Sequence, residues 1–282
     1  EGSHDIPQPS GLRDDQPGNS VKNSSTGKKI VIFEELEVFI NGLNHIFNVE
    51  HEPYAYWVKS NDLKEQYRLK IRNGIDGAEK EISIADIKKF LNSVIEKTEK
   101  AQKQACNSQG FLATYFYHEV VEFEQLEQKT KEGRFYVHPL KFKKHVLPLF
   151  LEGYVHALRV EKNFEEAKKI YNEVKRSSLF DKKLKMYKVN SDLSSETEEI
   201  GRTHVFPRGW LENESIWLHM EYKFMLELLR AGLVEEFYEN FPNVLIPFLK
   251  PEQYGRSILE NSSFLVSSVH EDKSYHGQGF VA

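Results

Sequence analysis

The stretch Gly209-Trp210-Leu211-Glu212-Asn213-Glu214-Ser215-Ile216-Trp217-Leu218-His219 holds the residue types best suited to chemistry. Glu212 and His219 stand seven positions apart. On a helix, seven steps return to within about 20° of the start with a rise of about 10 Å, so both side chains would leave one face. A carboxylate and an imidazole so placed suit a sugar hydroxyl at one end and an anion at the other. If Glu212 precedes the helix instead, the two can still converge on one cavity, but their distance is no longer set. Structural roles compete for the same residues. Carboxylates at 212 and 214 near a helix start suit the macrodipole, and Asn213 is an acceptable N-cap. His219 would serve equally as a hydrogen-bonded core histidine, and Trp210 and Trp217 as core side chains.

Other candidates are weaker. His118-Glu119 lacks the second histidine of a zinc-protease helix. Gly277-x-Gly279 is too short for a dinucleotide fingerprint. Ser257 and Ser262 have no His/Asp order beside them that suggests a triad. Lys182-Lys183-Leu184-Lys185 reads as a solvated loop or strand flank.

The Glu212 stretch resembles the glutamate-asparagine helix of the cellobiose phosphorylase family, inverting β-glucoside phosphorylases built on an (α/α)6 toroid. The family pattern is Glu-Asn, five residues, then His, as in Glu212-Asn213 and His219. Tyr254-Gly255-Arg256-Ser257-Ile258-Leu259-Glu260-Asn261-Ser262-Ser263 stands where the family has a comparable segment. His276-Gly277-Gln278-Gly279 is similar to the glycine-rich loop before its phosphate-binding segment. The similarity is strongest over residues 203–282, fainter over 115–202, and nearest to a large uncharacterised branch. It implies that Glu212 and Gln278 contact the glycosyl unit and that His219 helps bind phosphate. Such chemistry needs one carboxylic acid to protonate the leaving oxygen, with phosphate replacing the activated water of an inverting hydrolase. Here the chain departs from the family. No Gly-Asp-Trp-Asn-Asp segment, which carries the family's acid, is present. The upstream pair Asp14-Asp15 reads as part of a solvated loop. The catalytic acid is therefore unassigned.

These residues need a scaffold. Residues 1–28 are rich in Gly, Pro, Ser, Asn and Asp and read as a flexible leader or loop. Helical periods are expected over Ile30–Val49, Asn61–Ile71 and Ile84–Cys106, the last opened by a Ser83/Asp86 capping box. The aromatic and β-branched tract Phe111–Phe123 reads as extended. Helices follow over Val146–Val160, Phe164–Arg176, Trp210–Ala231 and from Glu235 to Phe241, with a short strand over Leu184–Val189. The fold class expected is mainly α: an incomplete (α/α)6 toroid with long loops and a few short strands, as one catalytic domain over 29–282.

Bulk properties restrict the partners. Of 282 residues, 39% are hydrophobic and 29% charged, with a net charge of -5. That balance argues against a nucleic-acid partner, which calls for a basic surplus. No apolar run approaches the roughly 20 residues of a membrane span. Cys106, the single cysteine, cannot form an internal disulfide, so a cytoplasmic setting is expected. The chain opens on Glu1 and closes on a glycine-rich turn, and both ends read as cuts. The expectation is a piece of an enzyme that phosphorolyses β-linked gluco-oligosaccharides to a sugar 1-phosphate, inactive by itself. Its partners would be oligosaccharide and phosphate, with room for a homodimer and no metal or organic cofactor. A toroid hydrolase using water and a non-catalytic helical binding or scaffold domain stand as rivals.

Overall fold

The computed structural model describes residues 28–75, 77–106 and 110–282. It divides into two units, residues 1–100 and 101–282, where the sequence reading has one domain over 29–282. The leader expected over 1–28 lies outside the described residues except for Lys28.

In the first unit, β1 (Lys29–Phe33), α1 (Glu34–Val49), α2 (Pro53–Ile71) and β2 (Glu79–Ser83) lead into α3 (Ile84–Ala105). The β-branched run at 30–32 pairs antiparallel with β2, from Lys29↔Ser83 to Phe33↔Glu79, so the helical period starts four residues later than expected. Ser83 caps α3 as a capping box does: its Oγ accepts from Asp86 N at 3.1 Å and donates to Asp86 Oδ2 at 2.6 Å. Glu35 is buried and accepts from Gly77 N at 2.7 Å. A Cβ at Gly77 would meet that carboxylate at 2.4 Å, so the approach requires glycine. Phe39 stacks on Tyr67, and Phe47 on Tyr56 and Phe90. Among the described residues of this unit, Ile46 and Ile82 are the only buried apolar side chains, and both keep a little exposure.

The second unit opens on a long antiparallel hairpin, β3 (Phe116–Lys129) and β4 (Phe135–Val146). The expected extended tract continues to 129 and acquires a partner strand that the sequence reading did not anticipate. Next come α4 (Leu151–Val160) and α5 (Phe164–Arg176), then β5 (Phe180–Asp181) and β6 (Met186–Tyr187). β7 (Ile216–Trp217), α6 (Leu218–Arg230), α7 (Val234–Val244), α8 (Pro251–Tyr254), β8 (Phe264–Leu265) and β9 (Gly279–Phe280) complete the unit. α4 starts five residues later than expected because Val146 closes the hairpin and Leu147 N donates to Tyr115 O at 3.0 Å.

α6 packs against α4 and α7, and α4 also against α5. Tyr154, Leu158, Tyr171, Val174, Phe224 and Leu228 form the centre of the main core. A second core of Met186, Ile216, Leu218, Ile246, Tyr254 and Leu265 lies around β7 and β8. The helix expected over Trp210–Ala231 begins only at Leu218. Residues 209–215 form a turn instead, with Gly209, Leu211 and Glu214 at φ of 82°, 44° and 61°. Ile216 and Trp217 are then drawn into a three-stranded sheet in the order β7-β8-β9. With eight α-helices and small antiparallel sheets among the described residues, the fold is mainly α. No helix among the described residues is long and apolar enough to cross a membrane.

Candidate functional site

The turn at 209–215 is pinned from three directions. Gly209 N donates to Asn213 O at 2.8 Å, closing the turn on itself. Asn190 grips its outer limb, with Oδ1 accepting from Glu214 N at 2.7 Å and Nδ2 donating to Glu212 O at 2.5 Å. Asn213 is fully buried and no N-cap: its Oδ1 accepts from Leu193 N at 3.2 Å and its Nδ2 donates to Phe206 O at 2.8 Å. Trp217 Nε1 donates to Leu211 O at 2.9 Å. Trp210 packs on Phe264 and Phe280, which supports its core role.

Beneath the turn lies a buried ion cluster. Lys188 Nζ and Arg208 Nε each donate to Glu214 at 2.5 Å, and Arg208 also reaches Asp192 at 3.2 Å. The side chains of Lys188 and Glu214 are 5% and 2% exposed. Two ions taken that far from water are tolerated only when paired. Glu214 therefore answers a buried lysine, not a helix dipole. A left-handed φ at Leu211 and Glu214 costs each residue about 1–2 kcal/mol. The bonds around the turn must outweigh that cost, and held strain of this kind concentrates at functional sites.

Glu212 differs from its neighbour. One carboxylate oxygen accepts from Arg202 Nη2, while the other is buried without a hydrogen-bond partner. The side chain keeps 22% exposure. It is thus a half-used acceptor on a strained turn, whose unpartnered oxygen has the chemistry to accept a hydrogen bond from a hydroxyl that reaches it.

His219, the second residue of α6, is exposed and not in the core. Its ring meets Trp217 edge-on at 5.6 Å. Desolvation and the Lys223 charge hold its pKa below the ordinary range against the opposing pull of Glu152, so the imidazole is neutral at pH 7. It can still donate one hydrogen bond. Gln278 is half-buried in the loop before β9, its Nε2 donating to Ser274 O at 2.8 Å.

The seven-residue helical face does not exist, because Glu212 lies in the turn and His219 on α6. What relates the three residues is the sheet. Ile216 pairs with Leu265 and Leu265 with Gly279, so the chain runs into β7 and β9 at the same end. Glu212 and Gln278 precede those two strands, whereas His219 follows β7 at the other end. No hydrogen bond or ion pair among the described residues links the three directly.

Arg202, the partner of Glu212, and the Lys188–Glu214–Arg208 cluster were not singled out from sequence. Their members are scattered over 188–214, at no common spacing. His118 and Glu119 lie on the exposed hairpin, where Glu119 pairs with His145 at 2.7 Å. Compared with known proteins, the chain matches no family model and no curated protein.

Proposed function

We propose that this chain carries the sugar-holding side of an inverting β-glucoside phosphorylase of the helical-toroid type, working in the cytoplasm on β-linked gluco-oligosaccharides. The observation that carries this reading is Glu212: a partly exposed carboxylate with one buried, unpartnered oxygen on a strained and pinned turn. Gln278, before the strand that starts at the same sheet end, would add a donor and an acceptor for hydroxyls. The phosphate role of His219 rests on the resemblance, and its neutral, exposed ring is compatible with donating to a phosphate oxygen.

In the reaction, a phosphate oxygen attacks the anomeric carbon as the glycosidic C–O bond breaks with inversion. The leaving oxygen takes a proton from a carboxylic acid that the chain's own residues do not supply in an assigned position. Glu212 then has a positioning task, holding a glycosyl hydroxyl so that the anomeric carbon faces the attacking anion.

The test is a titration of the chain with β-linked gluco-oligosaccharides, together with an assay for sugar release with and without phosphate. Saccharide binding that weakens about tenfold in Glu212→Gln is expected, with no turnover by the chain alone. Sugar release that does not need phosphate would establish the hydrolase. Absence of binding, or binding indifferent to the substitution, would remove Glu212 from the site.

A further inference from the structure

A cavity of about 230 Å³ opens between the β5–β6 turn and the segment around α8. Lys183, Lys185 and Lys250 line it, and no aspartate or glutamate does. None of these three lysines forms an ion pair among the described residues, in a chain whose net charge is -5. Three lysines lining one concavity raise its positive potential, which a bound anion would offset.

The cations are presented by a rigid loop. Asp181 Oδ1 accepts from Lys183 N and Leu184 N, both at 3.0 Å, and from Ser268 Oγ at 2.7 Å. Lys185 N donates to Asp181 O at 2.7 Å. Lys185 stands at φ 57°, where glycine would be cheaper, so the turn accepts strain while placing a lysine at the cavity. Lys183 is aimed by a neutral acceptor: its Nζ donates to His276 Nδ1 at 2.7 Å, while His276 Nε2 donates to His270 O at 2.8 Å. That bond leaves the Lys183 charge uncancelled and two of its N–H donors available. Asn243 and Gln253 add neutral polar groups to the lining, and Met186 and Phe248 an apolar wall.

We infer that this cavity binds a phosphoryl group, either as free phosphate or as the phosphomonoester of a small polar molecule, through Lys183, Lys185 and Lys250. A phosphate dianion matches clustered point charges that no protein carboxylate neutralises. The amide side chains suit hydroxyls of an ester's organic part. The inference does not rest on the glucoside reading, since Glu212, His219 and Gln278 do not line the cavity.

Calorimetric titration of the 282-residue chain with orthophosphate, with glucose 6-phosphate and with glucose tests it. At least one phosphorylated ligand is expected to bind, and excess glucose not to displace it. Lys185→Glu and Lys250→Glu should each weaken that binding about tenfold or more. Both lysines are exposed, so the variants should keep the parent melting temperature. Lys80→Glu, an exposed charge reversal outside the cavity, should leave the binding unchanged. Tighter binding of glucose 6-phosphate identifies an ester as the ligand, and equal or weaker binding identifies free phosphate; both support the site. Absence of binding at millimolar concentration, binding that survives both charge reversals, or binding lost equally in Lys80→Glu overturns it.

Discussion

Three glutamates in one short span meet three different fates, and the difference lies in what each carboxylate touches. Glu212 keeps an acceptor oxygen unspent. Glu214 spends both oxygens on buried or half-buried cations. Glu221, fully buried on α6, accepts from Tyr187 N at 2.8 Å through one oxygen, leaves the other unpartnered as Glu212 does, and unlike Glu212 has no counter-charge. Burial, then repulsion from Asp181, pushes its pKa well above the ordinary carboxyl range. The sign of the consequence is definite. In the unfolded chain this carboxyl ionises near about pH 4.3, whereas the folded protein retains its proton to a higher pH. Its contribution to stability is thus complete below the unfolded value and declines as pH rises toward the folded one. Glu221→Gln should flatten the fall of unfolding free energy as pH rises above about 4.3, as read from urea melts at several pH values. An unchanged slope would mean that Glu221 is ionised in the fold.

At the scale of elements, the turn at 209–215 decides the site, and the ion cluster beneath it decides the turn. Removing the negative partner leaves Lys188 buried without compensation, and such losses cost about 3–5 kcal/mol. Glu214→Gln should therefore destabilise the protein strongly. The double variant Lys188→Met with Glu214→Gln should recover much of the loss, because the desolvation of both ions is then avoided. Denaturant midpoints of the two single variants and the double variant check this, and simple additivity would show that the pair is not coupled. Elements with local instructions were legible. α5 spans the expected Phe164–Arg176 because Asn163 caps it through Glu165 N and Glu166 N, and Ala167, Tyr171 and Val174 meet the core. The capping box of α3 was equally readable. The turn was not, since Leu211 and Glu214 are ordinary helix formers forced to positive φ by bonds from Asn190, Lys188 and Arg208.

At the scale of the molecule, the two units differ in how much apolar surface they bury. The first rests on Ile46 and Ile82 with partly exposed aromatic stacks, whereas the second holds two buried clusters. Local opening is cheapest where buried apolar contacts are few. Hydrogen exchange should therefore show weaker protection over α1 and α2 than over α4 and α6, and comparable protection would contradict that division.

The sequence by itself determined the mainly helical composition and the amphipathic faces of α1, α3 and α5. Each of these depends on residue type or on neighbours a few positions away. Only the tertiary structure decided that Glu212 sits in a turn, that His219 follows the sheet's other end, and that three lysines from two segments share a cavity. Those outcomes depend on which strand β7 pairs with and which buried ion needs a partner. Both are set by groups distant in the chain, at energies larger than the few tenths of a kcal/mol of local helix propensity.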